Sequence, residues 1–175
     1  MIQIDVIESP VGPLTVVERG ARICMLHFGA DEPSIDRTLE RWYPVEARDR
    51  RPLAAVRGIL ARYFAGDHAA IDHVPVELNG TSFQKRVWQA LRHIPPGSTI
   101  SYAELARRIG EPHAVRAVGA ANGANPVALI VPCHRVIGSD GTLTGYGGGL
   151  DRKEWLLSHE HAHWTGDSRT PALPW

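Results

Sequence analysis

The sequence has few of the features that mark secreted or membrane-spanning proteins. Only two of its 175 residues are cysteine, Cys24 and Cys133, which is too few for a disulfide framework at this length, so we treat both as free thiols. No stretch approaches the roughly 18 uninterrupted apolar residues of a membrane span, and residues 1–5 have neither the basic start nor the apolar run of a signal peptide. These absences predict a cytoplasmic protein with no membrane partner.

The chain has no excess of charge of either sign, because 19 Lys and Arg balance 19 Asp and Glu, but the charges are distributed unevenly. Residues 1–79 carry 9 basic and 12 acidic side chains, residues 80–135 carry 7 and 2, and residues 136–175 carry 3 and 5. A basic middle third predicts that any contact with a polyanion is made there, with counterion release supplying binding that is independent of sequence. A solvated, charged helix face would give the same pattern.

Composition and hydrophobic pattern predict an α/β fold in two parts. A chain with 43% hydrophobic and 22% charged residues is typical of one globular unit or two small ones. Three β-prone runs within the first thirty residues predict an antiparallel meander, and apolar spacings of three and four predict helices over 36–43 and 53–64. We place a boundary near residue 80, which gives an amino-terminal α/β domain over 1–79, a mostly helical domain over 80–163 and a tail over 164–175.

The second part begins with three predicted helices. The first runs from about residue 81 to 94, and the second starts at a capping box of Ser101 and Glu104 and ends at Gly110. The third runs from about residue 114 to 123. Two short helices joined by a tight Gly-Glu-Pro turn indicate a helix-turn-helix, which places its second helix in a DNA groove.

The third helix has little side-chain reach. Arg116 is its one long cation, and most of its other residues are small, Ala117 and Ala121 among them. Small side chains favour close backbone approach in a minor groove over readout of base edges in a major groove. A helix packed inside the protein would use the same residues, so this segment alone leaves both interpretations open.

A polar tetrapeptide, Pro132-Cys133-His134-Arg135, follows the apolar run Leu129-Ile130-Val131, which we predict to be a buried strand. A cysteine beside a histidine and an arginine has neighbours that favour the thiolate or accept its proton, which predicts a nucleophile. Adjacent residues of an extended chain point in opposite directions, so His134 would need a turn or a bridging water to reach the sulfur. A cysteine that is merely packed is the alternative.

The tetrapeptide and its surroundings resemble the O6-alkylguanine-DNA alkyltransferase family. The similarity covers residues 81–160 in matching order and spacing, through the motifs Arg116-Ala117-Val118-Gly119, Asn125-Pro126, Pro132-Cys133-His134-Arg135-Val136, Gly145-Tyr146 and Lys153-Glu154-Trp155-Leu156-Leu157. Ser9-Pro10-Val11-Gly12-Pro13-Leu14 is similar to the opening of the family's ribonuclease-H-like amino-terminal domain. The resemblance therefore implies such a domain, followed by a mostly helical domain with a helix-turn-helix, and direct-reversal repair of O6-alkylguanine in double-stranded DNA.

The resemblance also implies a role in the chemistry for each matching residue. Cys133 takes the alkyl group irreversibly in a single turnover, His134 accepts its proton through a water, and Glu160 orients the histidine. Asn125 braces the turn between the recognition helix and the active-site strand.

For the DNA, the resemblance implies contact in the minor groove and extrusion of the target nucleotide. Arg116 enters the base stack and fills the space left by the flipped nucleotide, while Tyr102 turns the nucleotide out and donates a hydrogen bond to the base. The base is then contacted by the carbonyls of Cys133 and Val136, which accept from the guanine amino group, by the wall of Tyr146, and by the amide of Gly147, which faces O6. Some relatives carry serine at position 147, and the glycine of this chain would widen the pocket toward bulkier alkyl groups.

Several other functions are compatible with parts of the sequence. His159-Glu160-His161-Ala162-His163 matches the H-E-x-x-H zincin pattern, but position 169, where the longer form has its last ligand, is arginine. A non-catalytic helix-turn-helix DNA-binding protein, a lesion-binding member of the same fold and a cysteine hydrolase are the remaining alternatives. We expect no metal, no cofactor and a monomer, and we leave open whether molecules cluster on DNA.

Overall fold

A computed structural model describes residues 1–166 of the chain, which form two compact units. Unit 1 contains residues 1–81 and 126–130, and unit 2 contains residues 82–125 and the described residues from 131 onward. The chain therefore crosses between the units three times, whereas the sequence pattern indicated a single boundary. Within the described residues, no helix is long and apolar enough to cross a bilayer.

Unit 1 contains a four-stranded sheet, two α-helices and a short 3-10 helix over His68–Ile71, and its strand order is β3-β2-β1-β4. Its elements are β1 (Ile2–Ile7), β2 (Leu14–Arg19), β3 (Arg22–Phe28), α1 (Glu32–Trp42), β4 (Arg48–Arg50) and α2 (Ala54–Phe64). The first three strands form the predicted antiparallel meander, and β4 pairs with β1 in parallel. The sequence did not predict β4, because three polar residues lack the apolar alternation of a strand. Helix α1 begins before the predicted start at residue 36, since proline is tolerated in a first helical turn.

Two buried polar groups mark the interior of unit 1. Cys24 lies in the core between the sheet and α1, where burial raises the pKa of its thiol to about 11, as expected for an inert core cysteine. Asp5 is 7% exposed and accepts hydrogen bonds from the amide of Leu53 and from the guanidinium of Arg57. This carboxylate ties β1 to the beginning of α2.

Unit 2 is mostly helical. Its elements are α3 (Ser82–Leu91), β5 (Ile100–Ser101), α4 (Tyr102–Arg108), α5 (Val115–Gly123), β6 (Val136–Ile137) and α6 (Leu150–His159). The two short strands pair in parallel, and α4 and α5 form the predicted pair of helices joined by a turn. Ser101 caps α4 by accepting from the amide of Glu104 at 3.0 Å. The return bond of a capping box is absent between these two residues, since the Glu104 carboxylate pairs with arginines of its own helix.

The apolar run over residues 129–131 does not form the predicted strand. The backbone turns over residues 128–130, and Leu129 adopts a left-handed conformation with φ of 68°. Just before this turn, Val127 pairs with Leu26 of β3 in a single bridge, through hydrogen bonds to the neighbouring residues 126 and 128. Periodicity cannot distinguish a buried turn from a buried strand in so short an apolar run.

Packing continues past residue 163, where we expected a tail to begin. Trp164 is 8% exposed and packs with Ile137, Leu157 and Ala162, and the amide of Thr165 donates to the carbonyl of Gly141. Residues 167–175 of the predicted tail lie outside the described residues.

Candidate active site

The predicted nucleophile lies in a single 3-10 turn. Cys133–Arg135 form this turn immediately before β6, and the exposed fractions of Cys133, His134 and Arg135 are 5%, 0% and 1%. A 3-10 helix has 3.0 residues per turn, so consecutive side chains leave its axis about 120° apart. In this turn the side chains of Cys133 and His134 do not point in opposite directions, as they would on an extended chain.

A buried carboxylate joins the histidine and the arginine of this turn. Glu160, at the carboxyl end of α6, is 3.0 Å through Oε1 from Nε2 of His134. Nε and one terminal nitrogen of Arg135 donate to the two Glu160 oxygens at 2.9 and 2.8 Å, and its other terminal nitrogen donates to the carbonyl of Ile94. Because a carboxylate only accepts, Nε2 carries the proton of the neutral imidazole and Nδ1 carries the lone pair.

The charge states follow from burial and from these contacts. Burial lowers the pKa of His134 below its ordinary 6.5, and it outweighs the opposing charge and hydrogen bond of Glu160. Burial raises the pKa of Glu160, but the hydrogen bonds that its carboxylate accepts from His134 and Arg135, together with the charge of Arg135, outweigh it and hold the pKa well below 4.5. Near pH 7 the pair is therefore a neutral imidazole bonded to an ionised carboxylate.

The Cys133 thiol is protonated at rest, so its neighbours do not hold it as a thiolate, and the alternative that His134 accepts its proton remains. Burial raises the pKa of the thiol above its ordinary 9.0, although contacts with Asn125 and Tyr146 and the charge of Lys153 oppose this. The charge of Arg135 is neutralised by Glu160 instead. A base is then required, and Nδ1 of His134 is buried and has no hydrogen-bond partner among the described residues.

Two asparagines near the carboxyl end of α5 contact the reactive segment. Nδ2 of Asn125 donates to the carbonyl of Val131 at 2.7 Å, which is the position expected of a brace. Asn122, which the sequence did not single out, is 4% exposed, and its Nδ2 lies 3.4 Å from the carbonyl oxygen of Cys133. The sequence feature that could have identified Asn122 is that it is a polar residue on the face of α5 that also carries Val118 and Ala121.

Lys153 is a second site residue that sequence reasoning missed. Its side chain is fully buried, and Nζ donates to the carbonyls of Val136 and Thr144 at 2.6 and 2.9 Å. Nζ also lies 6.0 Å from the ring centroid of Tyr102. Burial lowers the pKa of this amine to about 8. The sequence feature that could have identified it is its spacing. Lys153 lies three and four residues before Leu156 and Leu157 and therefore shares the apolar side of α6.

Tyr102 and Tyr146, two further residues assigned to the guanine base, lie near the Cys133 thiol. The hydroxyl of Tyr102 donates to the carbonyl of Thr144 at 3.3 Å, and Tyr146 is half-buried beside the Cys133 thiol. A Cβ at Gly147 would lie 3.9 Å from the carbonyl oxygen of Gly123, which is ordinary contact. A serine would therefore fit at position 147, and glycine leaves that volume open.

Helix α5 presents only part of its small-residue surface to solvent. Arg116 and Ala117 are exposed, but Ala121 is 3% exposed and its carbonyl accepts from Nε1 of Trp88 at 2.7 Å. Ala121 therefore packs inside unit 2, and the expectation that its small side chain lets the helix approach a minor groove was wrong for this residue. The exposed face of α5 and its carboxyl end consists of Arg116, Ala117, Ala120, Gly123 and Ala124.

The H-E-x-x-H match does not form the helical face that a zincin requires. Helix α6 ends at His159, and His161 has φ of 60°, so His159 and His163 do not lie on consecutive turns of one helix. Glu160 is engaged with His134 and Arg135, and within residues 1–166 no group of three His, Cys, Asp or Glu side chains is placed to hold a metal ion. Arg169 lies outside the described residues.

Comparison with known families agrees with this fold and site. Residues 82–162 match the DNA binding domain of 6-O-methylguanine DNA methyltransferase, and residues 2–78 match the ribonuclease-like domain of the same protein. The chain belongs to the 6-O-methylguanine DNA methyltransferase family.

Particular relatives are similar over most of their length. The methylated-DNA–protein-cysteine methyltransferase of Salmonella typhimurium is 48% identical over 158 residues, which cover 88% of this chain and 92% of the relative. The protein of the same name from Mycobacterium tuberculosis is 47% identical over 172 residues, which cover 98% and 96%. A crystal structure of Mycobacterium tuberculosis OGT in complex with DNA has a TM-score of 0.77 at 43% identity, covering 97% of this chain and 96% of that one.

Proposed function

We propose that this protein repairs DNA by transferring the alkyl group of O6-alkylguanine to Cys133. The observation that carries the proposal is a buried, protonated cysteine in one turn with a histidine whose Nε2 is held by an ionised carboxylate and whose Nδ1 is open. The names of the relatives support the same activity. A non-catalytic DNA-binding protein would need none of this buried arrangement.

The chemistry follows from the two ring nitrogens of His134. Nδ1 takes the thiol proton of Cys133 through a bridging water, and Glu160 stabilises the imidazolium that forms. The sulfur attacks the alkyl carbon, a carbon–sulfur bond forms, and the carbon–O6 bond breaks with its electron pair left on the base. The base takes up one proton, so a thiol and an O6-alkylguanine become a thioether and guanine.

The product explains why one molecule acts once. A thioether sulfur is a poor leaving group and is not readily hydrolysed, and nothing in the described site would regenerate the thiol. The protein is consumed by the reaction that it performs.

The exposed face of α5 is the surface that fits DNA. Small residues let the helix backbone approach a minor groove closely, and the Arg116 side chain is long enough to enter the base stack. The bond that must be broken is inaccessible inside a duplex, so the target nucleotide is extruded and the arginine offsets part of the lost stacking. The solved complex of the Mycobacterium tuberculosis relative with DNA supports this partner.

We expect that incubation with a duplex containing O6-methylguanine restores guanine and adds one methyl group to each protein molecule. The reason is that the thioether ends the reaction after one transfer. Intact-mass and peptide mass spectrometry should locate the methyl group on Cys133. Turnover well beyond one equivalent, or a methyl group on another residue, would contradict the proposal.

We expect Arg116→Ala to slow repair of duplex DNA by about tenfold or more, because extrusion then lacks the inserted side chain. Reaction with free O6-benzylguanine should change less than about twofold, since a free base needs no flipping. Single-turnover rates on both substrates make the comparison, and Arg62→Ala, which removes an exposed arginine of unit 1, is the matched control. Equal loss on duplex and free base would assign Arg116 to the fold instead.

A further inference from the structure

Two residues that lie beyond the family match, Trp164 and Thr165, contact a loop of unit 2. The match to the DNA binding domain ends at residue 162, and the proposed reaction uses neither of them. The loop runs from residue 138, directly after β6, to residue 145, directly before Tyr146. We call Trp164 and Thr165 the carboxyl-terminal clamp.

The clamp binds the loop through two backbone carbonyls and one apolar contact. The amide of Thr165 donates to the carbonyl of Gly141 at 2.8 Å, and its hydroxyl donates to the carbonyl of Asp140 at 3.0 Å. Leu143, further along the loop, packs against the buried cluster that contains Trp164. The loop is therefore held both at its tip and where it returns toward the active site.

The tip of the loop is fitted closely to the clamp. Gly141 has φ of 82°, in the left-handed region that favours glycine, and a Cβ there would lie only 2.5 Å from Oγ1 of Thr165. A side-chain oxygen of Asp140 accepts from the amide and the hydroxyl of Thr142 at 3.1 and 2.7 Å, which closes the turn. A side chain at position 141 would separate the turn from the clamp.

The other end of the loop reaches the active site. The carbonyl of Thr144 accepts from Nζ of Lys153 at 2.9 Å and from the hydroxyl of Tyr102 at 3.3 Å. Tyr146 follows the loop directly and lies beside the Cys133 thiol. The family resemblance assigns both tyrosines to the extruded base, so the loop ends between two side chains that contact the substrate.

We propose that the carboxyl-terminal clamp positions Tyr102 and Tyr146 for the target base by fixing the loop over residues 138–145. Thr165 is then a positioning residue, which acts through the loop and touches neither the base nor the sulfur. This inference rests on the proposed function, and it gives a part in the reaction to residues outside the family match.

The proposal predicts an effect on binding of the base rather than on transfer of the alkyl group. The relay has its own support, because Glu160 bonds His134 and Arg135 directly. The two tyrosines, by contrast, would sample more orientations if the loop moved, and binding of the base would then have to order them. Loosening the clamp should therefore raise the concentration of base that is needed and leave the limiting rate of transfer unchanged.

Thr165→Val tests whether the clamp holds the loop, since it removes the hydroxyl and keeps the shape of the side chain. Thr165 is exposed, so this substitution leaves the core intact. Hydrogen exchange of the full chain, measured by mass spectrometry, should be about fivefold faster in peptides that cover residues 138–145, because one hydrogen bond is lost. Exchange in α3 and α5 should not change.

The same variant is then reacted with free O6-benzylguanine over a range of concentrations. We expect the half-saturating concentration to rise about threefold and the limiting rate to stay within about twofold. A residue that served only the stability of the fold would not separate these two quantities.

Three further variants complete the comparison. Thr165→Ser keeps the hydroxyl and should restore both the slow exchange and the low half-saturating concentration. Gly141→Ala places a Cβ against Oγ1 of Thr165 and should give the same changes as Thr165→Val, but larger. Thr38→Val removes a hydroxyl that donates to a backbone carbonyl in unit 1, and this matched control should change neither measurement.

Different results would overturn different parts of the proposal. Unchanged exchange over residues 138–145 in Thr165→Val would show that the clamp does not hold the loop. Faster exchange with an unchanged half-saturating concentration, or with an equal loss in the limiting rate, would show that the loop does not position the two tyrosines for the base. Failure of the unsubstituted protein to accept any alkyl group would overturn the proposed function instead, and the exchange measurement would still report whether the clamp holds the loop.

Discussion

Cys133→Ser should abolish alkyl transfer from both duplex O6-methylguanine and free O6-benzylguanine. The thiol needs a base even with its sulfur in place, because burial already raises its pKa. An alcohol is far less acidic than a thiol, and its anion would have to form in the same buried site, so we expect a loss of about a thousandfold or more. Transfer of label from a methyl-tritiated duplex and intact-mass spectrometry would both measure this loss.

The same variant should still bind DNA. The proposed DNA surface is the exposed face of α5, whereas Cys133 is buried in the 3-10 turn, so affinity for an unmodified duplex should stay within about threefold. Fluorescence anisotropy at fixed salt concentration makes this comparison. Residual transfer with the label on another residue would show that Cys133 is not the acceptor.

Glu160→Gln should destabilise the protein and slow transfer together. The substitution leaves Arg135 as a buried cation without its counter-charge, and breaking a buried pair in this way costs about 3–5 kcal/mol. It also removes the charge that stabilises the imidazolium of His134, so we expect transfer to slow by about a hundredfold or more. Denaturant unfolding and single-turnover kinetics would measure the two effects.

Three comparisons separate stability from chemistry in this variant. Glu111→Gln breaks the exposed pair with Arg86 and should change the free energy of unfolding far less. Removing both partners in Arg135→Met with Glu160→Leu should recover much of the stability but not the rate, because neither charge of this pair is then left buried without its partner. Wild-type rates in the Glu160→Gln variant would contradict the assignment of Glu160 to the relay.

The dependence of stability on pH provides the third comparison. The pKa of Glu160 in the folded protein lies below its ordinary 4.5, so below about pH 4.5 the unfolded chain binds more protons and stability falls. His134, whose pKa is lowered from 6.5, adds a loss in the same direction that begins below about pH 6.5. In Glu160→Gln, the free energy of unfolding should lack the decrease below pH 4.5 that Glu160 causes in the wild type.

The sequence predicted those parts of the site whose residues form contiguous motifs. Pro132-Cys133-His134-Arg135 could be assigned at once, because the reactive group and its base are adjacent. Lys153 and Asn122 could not, since each reaches the site across space from a helix whose periodicity identifies a buried face but not what that face contacts. Arg135 was visible in the motif, but its partner Glu160 is 25 residues away, so its charge was assigned to the thiol rather than to the carboxylate.

The fold shows the same division between local and distant information. Repeated alternation and helical spacing predicted the meander and most helices, because those signals are carried by neighbouring residues. The run over residues 129–131 was assigned to a strand because it is short and apolar, and only its surroundings determine that it turns. The polar strand β4 was not predicted because its residues lack an apolar pattern. It is a strand because it pairs with the edge of β1.

The return of residues 126–130 to unit 1 affects how deletion variants should be interpreted. A gene truncated to begin at residue 82 encodes every side chain of the relay, yet it separates Val127 from the β3 edge with which it pairs. Val127, Leu129 and Ile130, all buried in the full chain, would then be left on a fragment that lacks most of unit 1, only a few residues before the cysteine. If the truncated protein were inactive or insoluble, the missing part of unit 1 would be a sufficient explanation. The result would not show that the first eighty residues take part in repair.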